Sequence, residues 1–296
     1  MRNSEVYRHI APRLENLNRF IAENNHQTFD TSEIYNNLSQ ENQYFLSNID
    51  DSLKLYLGCL SNVFRWKEHV FDKITSNIDE NDYDHVLEML KINTKIKSLG
   101  IPSINHSEVE LMILLHDGGE IITDDMSSNH PDSDDNFIRT IKRLEPKFFN
   151  RFILSNLDNN QKKYLSSLYD RYEHRQNNPD DTSAHLVKLI DILQGDEFGL
   201  KNVYNKEKLF EFYKDKQLPV SPDQIVRRLI EKEIDQTKIV LNSINNPENK
   251  QRLYEYLDVN HSSEPKYTES GYSDIYCEFK SSFIFLNPSL GPSSSK

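Results

Sequence analysis

Residues that ligate divalent metal ions recur at His85, at the adjacent pair His116-Asp117 and at Asp191. A metal site needs donors from several helices at one point, and this spread could supply them. Imidazole and carboxylate donors suit one divalent transition ion (Mn, Fe, Co, Ni or Zn) better than Ca or Mg. The pair is the unusual member. Leu111 to Leu115 run straight into it, and Gly118-Gly119-Glu120 and Thr123-Asp124-Asp125 follow. His and Asp are both costly to bury unless something pairs with them. A metal ion would pair with both. The competing reading is a helix that ends in solvent, with Gly118 as its cap.

Asp191 stands in a stretch that faces the same choice. Residues 182–194 are apolar nearly all round, as in a buried helix. Yet His185, Lys188 and Asp191 recur every three residues and so share one stripe. The stripe either looks into a polar site or forms one solvated edge with a Lys188–Asp191 ion pair. His185 reads as a satisfied core histidine or a partner behind the ligands.

The elements that must hold these residues read as helices. The 296 residues include only 8 Gly, and apolar side chains recur at i, i+3, i+4, so the fold class is all-α. Helices are expected over 4–24, from Thr31, over 52–74, and from Asp84-His85 to a stop at Gly100-Ile-Pro102. A box of Ser107 and Glu110 is expected to start the helix that delivers His116-Asp117. Further helices are expected over 137–144, 148–154, 160–175, 182–194, 206–216, 222–244 and 247–257. Residues 127–136 read as a surface loop. One helical domain spans 1–258, with its core at about 60–195. Residues 259–296 read as an irregular segment, partly packed on the body, with 276–286 a strand or clasp and a mobile end.

Composition excludes some classes. The net charge of −12 argues against broad binding to a polynucleotide backbone. Two cysteines, Cys59 and Cys277, provide no disulfide framework. A cytoplasmic location is the default, and no apolar run suggests a membrane span.

The order H…HD…D, with His85 and His116 separated by 31 residues, resembles the HD-domain metal-dependent phosphohydrolases. The run His116-Asp117-Gly-Gly-Glu120-Ile-Ile-Thr123-Asp124-Asp125 is similar to the H-D-x-x-E-x-x-T-G-D run of their 5′-deoxynucleotidase branch. Arg65-Trp66 resembles that branch's Arg-Trp pair. The resemblance covers about residues 60–195. It implies an HD-type helical bundle, here with extra N- and C-terminal helices. It implies one divalent ion on His85, His116, Asp117 and Asp191. Glu120 and Asp125 would serve the attacking water and the leaving oxygen, Arg65 the phosphate and Trp66 the sugar; Lys188 could add positive charge. The sequence departs from the branch where Asp124 replaces Gly and where the Pro-x-Pro-x-Lys run is missing. His69, in Glu68-His69, also resembles the start of the first ligand helix, although spacing favours His85.

The expected substrate is a small phosphorylated compound such as a nucleotide, and the resemblance admits a homodimer. A non-catalytic HD-fold binding or regulatory protein is the alternative. A di-iron oxygenase of HD type would need more histidines around the same place than His130 and His185 supply.

Overall fold

Helix follows helix through the residues that the computed structural model describes: 2–24, 30–49, 51–65, 80–123, 135–214, 221–261, 264–284 and 286. No strand occurs among them; the sole β feature described is an isolated antiparallel bridge between Phe64 and Asn81. The fold is all-α, as expected.

The chain divides into two compact units. The first comprises residues 1–91 and 107–174. It carries α1 (Arg2–Asn24), α2 (Ser32–Asn36), α3 (Gln40–Ser47), α4 (Asp51–Leu60), the start of α5 (Asp82–Lys97) and almost all of α6 (His106–Leu115). It also carries α7 (Glu120–Thr123), α8 (Asp135–Lys142), α9 (Glu145–Phe148) and α10 (Asn159–Glu173). The second comprises 92–106 and 175–296. It holds α11 (Thr182–Phe198), α12 (Lys206–Tyr213), α13 (Pro222–Ser243), α14 (Pro247–His261), α15 (Glu264–Ser270) and α16 (Ser273–Ile284).

In the first unit, Ile10 of α1 meets Ile122 of α7 and Ile141 of α8 in a buried cluster. Val6, Leu14 and Leu17 extend the same face of α1. The 4-residue steps from Val6 to Ile10 to Leu14 put these side chains on one stripe. His9 adds a polar clamp, its Nε2 donating to Thr123 O at 2.7 Å. Capping follows the sequence where the signals are strong. Asp158 and Ser221 each complete a capping box, starting α10 and α13. Gly100, with φ of 64°, closes α5 in a left-handed conformation that glycine adopts without strain.

Three expectations are corrected. The helix expected over 52–74 ends as α4 at Leu60. Tight backbone turns at Ser61, Asn62 and Val63 stop it, and Ser61 Oγ donates to Gly58 O at 2.7 Å. The chain then zips onto the start of α5: Arg65 N donates to Glu80 O at 3.2 Å and Asp82 N to Val63 O at 2.9 Å. Arg65 therefore sits on a turn rather than inside a helix.

Ser107 does not cap α6, which begins at His106. The Glu110 carboxylate instead accepts from Ser39 N at 2.9 Å, Ser39 Oγ at 2.6 Å and Asn42 Nδ2 at 2.7 Å. A distant helix start won the acceptor that a local cap would have used.

Among the described residues beyond 258 the chain is helical rather than irregular, with α15 and α16 taking up most of them. Tyr267, Tyr272, Ile275 and Tyr276 are buried. Tyr267 stacks on Tyr276 with ring centres 4.1 Å apart. Pro265 falls in the first turn of α15, where its missing N–H removes no helical hydrogen bond. The loop expected over 127–136 lies mostly outside the described residues.

Candidate metal centre

The end of α6 is buried without a break from Leu111 to Glu120. α6 stops at Leu115, and a tight turn over 116–119 leads into α7, with Gly118 N donating to Leu115 O and Glu120 N to Asp117 O, both at 2.9 Å. The two glycines are there for space, not for a left-handed cap: neither has a positive φ. A Cβ on Gly118 would lie 2.5 Å from the Phe149 ring, and one on Gly119 would lie 2.3 Å from Glu145 Cβ. The close approach of Glu145 is what this pair permits.

At that turn three donors converge, His85 of α5 meeting the pair His116-Asp117. His116 Nε2 lies 3.0 Å from Asp117 Oδ2 and 3.3 Å from His85 Nε2; His85 Nε2 lies 3.8 Å from the same Oδ2. His85, His116 and Asp117 are 0%, 5% and 9% exposed. His116 Nδ1 is 2.8 Å from Ile113 O. A carbonyl only accepts, so Nδ1 carries the proton there and Nε2 of the neutral ring keeps its lone pair. That lone pair faces a carboxylate oxygen and a second imidazole. With the Nε2 lone pair of His85 kept as well, acceptors packed this way would repel unless a positive charge sat among them. A divalent ion fits. Donors about 2.1 Å from one centre stand roughly 3.0–3.4 Å from one another, as two of the three separations do while the third, at 3.8 Å, is wider, and a metal-binding His commonly donates its other N–H to a carbonyl.

The surroundings hold the set in place. Tyr56 of α4 donates to Leu114 O at 2.7 Å, pinning the last turn of α6. The Tyr172 ring meets His116 edge-on, with centres 5.6 Å apart. Arg65 Nη1 donates to Asp117 Oδ2 at 3.1 Å, and Arg65 Nε stands 3.9 Å from Glu80. Burial alone would raise the Asp117 carboxyl. When the His116 ring also carries a proton at Nε2, its charge and hydrogen bond, then Arg65 and His85, outweigh burial and hold the group well below the usual carboxylate range.

A second set of donors adjoins the first. Asp82, Asp117 and Glu120 are buried, and a carboxylate oxygen from each lies within 4.8 Å of the others. Glu120 is raised by burial, and Lys142, 2.8 Å from its Oε1, works against the shift. The Glu120 Oε2 atom is buried and accepts no hydrogen bond from a described residue. Lys142 also reaches Glu145 at 3.3 Å, and Glu145 accepts from Thr123 Oγ1 at 2.9 Å. Burial pushes the Glu145 carboxyl up to about 7 against the pull of Lys142.

The residues singled out in the sequence fall into three groups. His85, His116, Asp117, Glu120 and Arg65 are brought together in the first unit. Lys188 and Asp191 lie in the second unit, where Lys188 Nζ pairs with Asp191 Oδ2 at 2.5 Å. His185 there is satisfied, its Nε2 3.2 Å from Asn178 O and its Nδ1 3.0 Å from Gln236. Trp66, His69 and Asp125 lie outside the described residues.

Sequence reasoning missed Asp82, Lys142 and Glu145. Asp82 could have been found, since it lies three residues before His85 on the same helix face. Nothing in their local sequence marks Lys142 and Glu145; the packing of Gly119 against Glu145 brings them in.

The HD domain family matches residues 69–262, about two thirds of the chain. No curated protein and no solved structure matches. The matched span contains the HD pair, His85 and Asp191, so the order of donors and the extent of the match agree: the chain belongs to the HD domain family.

Proposed function

We propose that the chain is a metal-dependent phosphohydrolase that removes phosphate from a nucleotide or similar small phosphate ester. The convergence of His85 Nε2, His116 Nε2 and Asp117 Oδ2 in a buried place carries this reading. Those three residues, with Asp191 of α11 as a fourth, would hold one divalent transition ion (Mn, Co, Fe, Ni or Zn). Such an ion, when bound, polarises a phosphoryl oxygen and lowers the pKa of a water from 15.7 towards roughly 7.

The chain's own residues supply the rest. Glu120 takes the proton of the attacking water at Oε2, while Lys142 fixes its other oxygen. Burial raises the Glu120 carboxyl, which makes the carboxylate a stronger base. Asp125 serves the leaving oxygen. Arg65 and Lys188 meet the phosphate, which carries about two negative charges at neutral pH, and Trp66 packs on the sugar. Similarity to the 5′-deoxynucleotidase run after the HD pair supports a nucleotide. The net charge of −12 supports a small substrate over a polynucleotide. No described helix is long and apolar enough to cross a membrane. A cytoplasmic homodimer is the form in which we expect the enzyme to act.

One observation favours a second reading, a non-catalytic HD-fold binding protein: Arg65 already neutralises Asp117. Phosphate release from a panel of nucleoside mono- and triphosphates with Mn, Co and Mg separates the two. The enzyme gives metal-dependent release that EDTA abolishes. A metal-loaded, folded preparation that releases nothing from any compound sinks the hydrolase reading and leaves the binding protein.

A further inference from the structure

The second unit holds a group of cations of which the proposed chemistry uses only Lys188. α11 and α13 pack along one another. Gln236 of α13 sets their register, its Nε2 donating to His185 O at 3.1 Å and lying 3.0 Å from His185 Nδ1. Forward from His185, successive turns of α11 present Lys188 and Asp191. Back from Gln236, successive turns of α13 present Lys232 and Arg228. Parallel helices would set Lys232 opposite residue 181. Antiparallel helices set it beside Lys188 and Asp191, and the Lys232 ammonium does feel Lys188, Arg228 and Asp191. Burial and then the two neighbouring cations lower its pKa, and Asp191 opposes them.

The charges in this cluster do not balance. Lys188 takes Asp191. Other charges along α13 have partners: Arg227 pairs with Glu278 at 2.7 Å and Lys238 with Asp235 at 3.1 Å. Arg228 and Lys232 make no ion pair with a described residue. Three cations around one carboxylate leave an excess of two positive charges, in a chain whose net charge is −12. Like charges one turn apart repel. A phosphate dianion carries the charge that would balance them, and an Arg fork matches its oxygens.

We infer that Lys188, Arg228 and Lys232 form a binding site for a phosphate group, displayed by α11 and α13. The group belongs either to a phosphate ester or to free inorganic phosphate.

Calorimetric titration of the full, chelator-treated chain with inorganic phosphate tests the site. Binding is expected and should weaken as salt rises. The pair R228Q/K232Q should lower the affinity about ten-fold or more. The charge-keeping pair R228K/K232R should retain most of it. Both variants must first match the wild type in circular dichroism and melting. Undiminished phosphate affinity in R228Q/K232Q, or no binding by the folded wild type at tens of millimolar, overturns the site.

A kinetic arm identifies the source of the phosphate and rests on the hydrolase reading. A higher KM for phosphate esters in R228Q/K232Q assigns the site to substrate. An unchanged KM with lost phosphate affinity assigns it to the free anion. The binding arm needs no turnover. A chain that binds phosphate through these residues but hydrolyses nothing therefore refutes the hydrolase reading alone.

Discussion

The end of α6 and the body of α11 pose the same problem and solve it differently. Each is an apolar, buried stretch with polar residues set into it: His116, Asp117 and Glu120 in one, His185, Lys188 and Asp191 in the other. In α11 the histidine is satisfied by protein, while Asp191, held by Lys188, is the carboxylate that the proposed function gives to the metal. Gln236 and Asn178 take both nitrogens of His185, and Lys188 takes Asp191. At the end of α6, atoms able to ligate a metal crowd together: the Nε2 atoms of two histidines and Oδ2 of Asp117 stand within 3.8 Å. Burial of polar residues therefore does not by itself mark a site. What marks one is a buried set of ligating atoms crowded against each other.

Removing the carboxylate from the crowded set gives the largest expected effect. Asp117→Ala should lower metal-dependent phosphate release on the order of 10³-fold or more and reduce bound metal. Asp117→Asn, which keeps the shape, should do nearly the same. His185→Gln in the satisfied set should leave bound metal as in the wild type. Metal analysis of purified protein checks both. Equal metal content in the Asp117 variants and the wild type would erase the contrast between the two regions.

Packing separates the regions as well. In Gly119→Ala the new Cβ would meet Glu145 Cβ at 2.3 Å, and Glu145 is held by Thr123 and Lys142. The loss should be about 3 kcal/mol, at the upper end of ordinary overpacking. Denaturant unfolding measures it. A change below about 1 kcal/mol would mean that α9 moves aside freely.

This tight approach also explains how much of the site could be read from the sequence. His85 and the HD pair were visible because residues of one chemistry stand at the start of one helix and at the end of an apolar run. Arg65 was visible as a residue but not in its setting, since the bridge from Phe64 to Asn81 that ends its helix joins residues across the segment 66–79. Lys142 and Glu145 were invisible: their role follows from two glycines that a reader takes for a cap. Glu110 misled in the same way, with a carboxylate at capping-box spacing that serves a distant helix start. Local signals predicted elements well, and failed where a buried acceptor was claimed from far along the chain. The last two helices were missed because tyrosines, rather than aliphatic residues, carry their buried face.

The two regions should also respond oppositely to pH. Burial raises the Glu145 carboxyl to about 7. Its contribution is whole below the unfolded value of roughly 4.5 and is lost as pH rises through about 7, up to about 3 kcal/mol. His185 is shifted down, by burial first. Its contribution is present above an unfolded pKa of about 6.5 and is lost as pH falls. Unfolding midpoints across pH 4.5–8 for wild type, Glu145→Gln and His185→Gln resolve the two slopes. Parallel curves for wild type and Glu145→Gln would mean that Glu145 is no more shifted than an exposed carboxyl.

The smallest expected effect has the opposite sign to Gly119→Ala and tests the same contrast. Gly195 lies within α11, and a Cβ there meets nothing within 4 Å. Its φ is not positive, so alanine fits the backbone without strain. Gly195→Ala should then stabilise by about 0.5–1 kcal/mol, through the lower helix propensity of glycine and the freedom it gives the unfolded chain. The two substitutions add the same methyl group, so their difference isolates the neighbours. If Gly195→Ala destabilises as Gly119→Ala does, α11 is under a constraint that its own contacts do not reveal. If it stabilises, the space around this helix is ordinary, and the demand for glycine belongs to the turn that follows the HD pair.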